Sequence, residues 1–291
     1  MAERMIKANG IDICTEDFGD PGDTPILLVM GASAQMILWE EGFIAGLVDG
    51  GRYVIRFDNR DTGQSTTFDL EQETYGLADM ANDAVGVLDA YGLSSAHLVG
   101  ASMGGMISQQ VAIDHPGRIR TMTSIMSTPA GGEIARAIFM GETPELPPPL
   151  PEYIELTMKW MSEPPLTRED RVRSRLENFG ALAGSRSEFD VERFTAIFER
   201  EYDRAADWPT MHNHGMALMD EENRAEQLRD ISTPTIVIHG TEDPILPYPH
   251  GEATVEAIDG ARMVTLDRVG HELPEVVWPQ VTEAILAHTA E

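Results

Sequence analysis

One pentapeptide constrains this chain more than any other feature. Gly100-Ala101-Ser102-Met103-Gly104 lies between a short apolar run, His97-Leu98-Val99, and a segment with helical periodicity. In that segment Met106, Ile107, Gln110 and Val111 share one side, and His115-Pro116-Gly117 stops it. A G-x-S-x-G pattern that ends a strand and opens a helix is a nucleophile elbow. The serine sits on a tight, strained turn, so the residues two away on either side must be small. Glycine at 100 and 104 lets the strand and helix backbones pass closely. The helix beyond aims its amides and the positive end of its dipole at developing negative charge. A dinucleotide-binding G-x-G-x-x-G fails on the same residues, because Ser102 stands where the second glycine would have to be.

The flanking sequence supplies the sheet that such a turn needs. Ile11 to Asp17 alternates apolar and polar residues, as a half-exposed strand does. Asp20-Pro21-Gly22-Asp23 reads as a turn. Pro25 to Met30 and Tyr53 to Phe57 are short apolar runs, as expected of strands covered on both faces. Between them and the pentapeptide, Leu77, Met80, Ala81, Ala84, Val85 and Leu88 mark one face of a helix, with Gly92 at its end. Met122 to Met126 reads as a further strand. This alternation predicts an α/β fold with a mostly parallel central sheet covered by helices on both faces.

The rhythm breaks at Pro129. From 129 to 228 the periodicity is helical, divided by prolines at 144–151 and 164–165, and no strand is expected. Strands resume at Pro234 to Ile238 and Ala261 to Leu266, and a last helix is expected over 276–288. The organisation is therefore a core domain from 1–128 and 229–291, interrupted by a helical cap over 129–228.

Composition narrows the functions. With 49 acidic and 21 basic side chains the net charge is −28. Nucleic acid and anionic membranes are poor partners for that surface. The charge serves solubility by self-repulsion, or reflects a halophilic source. Cys14 is the only cysteine, so no intrachain disulfide or thiolate metal site is possible. No apolar run approaches the roughly 20 residues of a membrane span, and the polar Met1 to Gly10 has no signal core. These features point to a cytoplasmic protein.

The chain resembles the α/β-hydrolase superfamily over nearly its whole length. Within it, Glu16-Asp17-Phe18-Gly19-Asp20, Leu28-Val29-Met30-Gly31 and Asp58-x-Arg60-Asp61-Thr62-Gly63-x-Ser65 are similar to aclacinomycin methylesterases, which hydrolyse a methyl ester on an anthracycline. Triad order in this fold is Ser, acid, His. The strand after the insert ends at His239-Gly240-Thr241-Glu242-Asp243-Pro244, and the resemblance places the acid at Asp243, leaving Glu242 as a solvated turn residue. Among eight histidines, His271 alone lies in a glycine-flanked loop between the last strand and the last helix, so it is the expected base. His97 begins a strand, His115 ends a helix, His250 follows a proline-rich turn, and His288 belongs to a surface helix.

An oxyanion hole needs two backbone N–H groups. The residue after the nucleophile, Met103, gives one, and the resemblance gives the other to Ala32. Many relatives carry His-Gly where this chain has Met30-Gly31. Asp58 to Ser65 reads as a structural loop, in which many relatives have glycine at the position of Asp61.

In this fold a helical insert caps the active site and shapes the pocket. Met158, Trp160, Met161, Trp208, Met211, Met216 and Met219 lie in it and either contact a bulky apolar group or pack the cap helices together. Ser33, Trp160, Met161 and His214 are the candidate substrate-binding residues. His212-Asn213-His214 is no metal motif, because two histidines two apart do not share a helix face. The expected function is carboxylic ester hydrolysis through an acyl-serine, without cofactor or metal, on a small-molecule ester, with a bulky methyl ester implied by the resemblance. The same triad also serves lactone, thioester or C–C hydrolysis and cofactor-free perhydrolysis. A ligand receptor of the same fold is the alternative from another class. The sequence sets no oligomeric state.

Overall fold

The apolar runs form the middle of an eight-stranded sheet in a computed structural model that describes residues 2–205 and 213–290. The strands are β1 (Arg4–Ala8), β2 (Ile11–Phe18), β3 (Thr24–Val29), β4 (Arg52–Phe57), β5 (Ala96–Ala101), β6 (Ile119–Ile125), β7 (Thr235–Gly240) and β8 (Arg262–Leu266). Their order is β1-β2-β4-β3-β5-β6-β7-β8. The β1–β2 and β2–β4 pairings are antiparallel and all others parallel.

The pleat of β3 divides two cores. Leu27 and Val29 face one cluster with Ile55, Phe57 and Leu98, under α2 (Leu77–Ala90) and α3 (Met103–Asp114). Ile26 and Leu28 face the other with Val54 and Val99, under α1 (Glu41–Asp49) and α11 (Trp278–His288). All four β3 residues are completely buried. A strand covered on both faces needs apolar residues at every position, which is why it reads as a run and not as an alternation.

The sheet begins earlier than the sequence reading placed it. Asn9 (φ +46°) and Gly10 (φ +81°) both lie in the left-handed region and turn β1 back onto β2. That is the two-residue hairpin an Asn-Gly pair favours. Helix α1 was likewise not anticipated. Instead of riding a surface helix, His288 is buried and lies 3.2 Å from both the Met122 and Pro234 carbonyl oxygens.

Between β6 and β7 the described residues hold helices and no strand: α4 (Glu133–Met140), α5 (Pro151–Ser162), α6 (Arg168–Leu182), α7 (Val191–Arg204), α8 (Asn213–Leu218) and α9 (Ala225–Leu228). Side-chain caps start two of them. Thr167 accepts from the Asp170 amide at 3.1 Å and Asp190 from the Arg193 amide at 2.9 Å. Phe194 and Phe198 of α7 stack at 5.6 Å and, with Phe179 of α6, give these helices a core of their own. Helix α10 (Pro249–Ala257) joins β7 to β8.

Candidate active site

The turn from β5 to α3 carries Ser102 at φ +54°, a conformation that L-residues rarely adopt. Its surroundings leave it no alternative. A Cβ on Gly100 would meet the Gly104 carbonyl oxygen at 2.1 Å, and one on Gly104 would meet the Val29 carbonyl oxygen at 2.1 Å. The Ser102 amide donates to the Ile125 carbonyl at 2.8 Å, and Ser127 Oγ donates to the Ser102 carbonyl at 2.7 Å. Strand β6 thus holds the strained residue from below. The loop after β3 crosses directly above it: an added Cβ on Gly31 would stand 3.0 Å from Ser102 Cβ and 3.6 Å from its Oγ. Among the described residues, neither the Ala32 amide nor the Met103 amide has an acceptor. Met103 directly follows Ser102, and Ala32 directly follows the Gly31 that approaches it.

The acid and base loops, which follow β7 and β8, meet each other. His271 Nδ1–H donates to Asp243 Oδ2 at 2.6 Å, with both side chains almost wholly buried. Asp243 Oδ1 accepts the Ile245 and Leu246 amides at 2.9 and 2.8 Å. One carboxylate oxygen is thus consumed by its own loop, and the other is fixed on the imidazole. His239 Nε2–H donates to the Leu246 carbonyl at 2.8 Å, and burial lowers its pKa, so a neutral ring packs 3.6 Å from Asp243 Oδ2.

Glu242 is not merely solvated. It accepts the Ser185 amide at 2.6 Å and the Ser185 hydroxyl at 2.9 Å, clasping the end of the cap to the acid loop. The same cap segment holds the base loop: the His271 amide donates to the Leu182 carbonyl at 2.8 Å and the Arg186 amide to the Arg268 carbonyl at 2.7 Å. Gly184 and Gly270 make this possible, since a Cβ on either would meet backbone within 2.4 Å. The Leu150 amide, at the start of α5, donates to the Pro244 carbonyl at 2.8 Å.

The candidate substrate-binding residues fare differently. His214 does not offer its ring to a pocket. It is completely buried, and both nitrogens are bonded to the protein: Nδ1 accepts the Ser33 amide at 2.9 Å, and Nε2–H donates to the Arg60 carbonyl at 2.7 Å. Ser33 sits at φ +56° next to Ala32. Trp160 is half-buried, with Nε1 buried and unpartnered. Met161 stands 52% exposed at the end of α5, and Met158 and Met216 are also exposed, so solvent covers them. Trp208, Met211 and His212 lie outside the described residues. Two cavities of about 260 and 170 Å³ open along the seam of α7 with the core, and neither is lined by Ser102, Asp243 or His271.

The Asp58–Ser65 loop proves to be a strut under the loop that follows β3. Asn59 Nδ2 donates to the Met30 carbonyl at 2.9 Å, and Asp58 Oδ1 accepts the Met36 amide at 2.8 Å, so both ends of the 31–35 loop are held. Arg60 pairs with Asp83 of α2 through two bonds of 2.6 and 2.8 Å. Asp61 lies at φ +65°, which explains why glycine suits that position. Its carboxylate accepts the Tyr75 hydroxyl at 2.6 Å, the Phe68 amide at 2.7 Å and Asn213 Nδ2 at 3.1 Å. Read alone, the acidic and turn-forming residues revealed a structural loop but not what it supports.

A strained serine at a strand–helix turn, with two free amides and an Asp–His pair on the following loops, defines a class. The chain belongs to the alpha/beta hydrolase fold family, which it matches over residues 24–276. It is 33% identical to the rhodomycin D methylesterase DauP of Streptomyces sp. (strain C5), over 99% of this chain and 98% of that one. The rhodomycin D methylesterase DnrP of Streptomyces peucetius shows the same identity and coverage. Among solved structures, a bromoperoxidase from Bacillus anthracis superposes with a TM-score of 0.79 over the full length of both chains at 23% identity. The likeness to the bromoperoxidase concerns the fold alone. No described helix is long and apolar enough to cross a membrane.

Proposed function

We propose that this protein is a serine-dependent carboxylic ester hydrolase, acting through an acyl-serine with Ser102 as nucleophile, His271 as base and Asp243 as its orienting acid. The observation that carries the reading is the Asp243–His271 bond of 2.6 Å on the loops after β7 and β8, in a sheet whose β5–α3 turn forces a serine to φ +54°. Because Nδ1–H is held by the carboxylate, the neutral ring has its lone pair on Nε2, which is the nitrogen a general base needs free.

In this mechanism His271 Nε2 takes the Ser102 proton as Oγ attacks the ester carbonyl. The Ala32 and Met103 amides receive the oxyanion. The imidazolium, stabilised by Asp243, returns the proton to the departing alkoxide, and the alcohol leaves. Water then attacks the acyl-serine with the same base, which releases the acid and restores Ser102. Substrate and water become acid and alcohol, with no other reactant. A methyl ester of a bulky acid is the substrate class that the relatives' names support.

Hydrolysis of graded aryl and methyl esters by the wild type and by Ser102→Ala tests the reading. Loss of the nucleophile lowers turnover on the order of a millionfold. A folded Ser102→Ala that retains turnover, or a folded wild type that hydrolyses no ester of the series, defeats it.

A further inference from the structure

The loop that offers the Ala32 amide is anchored to the core at its two ends, through Met30 and Met36. Its middle is anchored to the cap. There the Ser33 amide, on a residue in the left-handed region, meets His214 of α8. An L-residue in that conformation is held at a disadvantage and persists only where its surroundings over-determine it.

The chemistry of the partner is fixed. A backbone amide can only donate and a backbone carbonyl can only accept. Nδ1 of His214 must therefore carry the lone pair that receives Ser33, and Nε2 must carry the proton that goes to Arg60. Only the neutral Nε2–H imidazole satisfies both. Burial favours that neutral form, as does the Arg60 guanidinium, while Asp61 opposes it and the Arg60 carbonyl favours the cation; the net shift is downward. The Arg60 carbonyl is itself immobile, because its side chain is paired with Asp83.

We propose that His214 is a positioning residue for the oxyanion hole: from the cap, it pins Ser33 and thereby aims the neighbouring Ala32 amide at the oxygen above Ser102. This inference rests on the ester-hydrolase reading. It gives the cap a part in transition-state stabilisation besides shaping the pocket. A donor amide displaced by about 1 Å loses most of its value to an oxyanion.

The test compares wild type, His214→Ala and His214→Gln for ester hydrolysis and for affinity toward an aryl boronic acid, whose tetrahedral serine adduct places an oxygen in the hole. In His214→Ala, kcat is expected to fall roughly 100-fold with KM within about threefold, and boronate affinity to fall in parallel. Glutamine can both accept from Ser33 and donate to Arg60, so His214→Gln should recover most of both. A folded His214→Ala with wild-type kcat and boronate affinity overturns the inference, as does a loss expressed in KM alone. Nitrogen-15 spectra of wild-type histidines give a readout that depends on no variant. The Nε2–H tautomer at neutral pH is expected, and an Nδ1–H ring or an imidazolium at His214 overturns the inference. A wild type with neither ester turnover nor a boronate adduct removes the hydrolase reading itself, and so separates the two failures.

Discussion

Gly104→Ala puts the geometry of the turn to a quantitative test. The added Cβ would meet the Val29 carbonyl oxygen at 2.1 Å, its carbon at 2.6 Å and the Met30 carbonyl oxygen at 2.9 Å. Cβ contacts below 3.0 Å essentially do not occur, so backbone must part by about 0.9 Å. No flexible side chain can absorb this, because every neighbour is main chain. Strand β3 is also fixed, since Val29 pairs with Gly100 and both flanking strands are bonded to it. The first turn of α3 must therefore yield, and it carries the Met103 amide. A displacement near 1 Å in a catalytic group lowers the rate about 100-fold, equivalent to roughly 2.7 kcal/mol of barrier. Overpacking of this kind lowers stability by about 1–3 kcal/mol. Steady-state ester hydrolysis and urea denaturation read the two effects. Gly117→Ala is the control: nothing lies within 4 Å of its added Cβ, and a change under about 0.5 kcal/mol is expected. Wild-type kcat and an unshifted midpoint in Gly104→Ala would refute the steric account of the elbow.

Asp243→Asn should retain the fold, because the asparagine carbonyl can still accept the Ile245 and Leu246 amides. Its NH2 then faces His271 Nδ1 and forces the wrong tautomer, so kcat should fall on the order of 10⁴-fold; a drop below tenfold counts against the assigned acid. Glu272 carries a linkage prediction. Burial raises its carboxyl to about 7, against the lowering effect of Arg193 and with a smaller push from Glu40. A folded-state pKa above the unfolded value of 4.5 means the folded protein binds the proton more tightly. This contribution is therefore present at low pH and is lost as pH rises from about 4.5 to 7, by up to about 3 kcal/mol. Denaturation midpoints at pH 5 and pH 8 should converge in Glu272→Gln, and an unchanged difference between them would count against a buried protonated carboxyl.

What was legible in the sequence shares a physical origin. The strands around the site are buried on both faces, so each is written as an unbroken apolar run, and the elbow needs small residues at fixed spacing. Ser102, its glycines and the sheet around them are local consequences of local sequence. His271 was placed by its loop between the last strand and the last helix, and Asp243 by the resemblance, which chose it over Glu242 after the strand that follows the insert; the two loops adjoin in the fold. The β1 hairpin was overlooked although its Asn9-Gly10 pair signals a two-residue turn. Helix α1 lacks such a marker: its N-cap residue, Glu40, makes no side-chain cap bond. The failures at His214 and His288 have a different cause. Each makes its defining bonds to main chain at least 50 residues away. Composition and periodicity carry no record of such partners. Met161 shows the same gap, since helical spacing says which side chains share a face but not whether anything covers it.

These long-range bonds bear on how a cap domain can evolve. If the 129–228 segment only shaped a pocket, it could be exchanged freely above a constant triad. Here its contacts go to the loops that carry Asp243, His271 and Ala32. Leu182 and Ser185 reach the base and acid loops, Leu150 reaches the residue after the acid, and His214 reaches the oxyanion loop. Arg204 adds a further tie, pairing with Asp58 of the strut at 2.9 Å. Most of these bonds have a main-chain group on at least one side, so they constrain where the cap backbone runs more than which side chains it carries. The exposed face of α5, where Met158 and Met161 project into solvent, has no such tie. Substitutions there are free to alter what the cap presents, whereas changes in the 182–186 turn, at 150 or at 214 disturb bonds to the loops that carry Asp243, His271 and Ala32. Under the proposed ester-hydrolase function, specificity and catalysis therefore separate within this segment by position, along a boundary drawn by hydrogen bonds to the core.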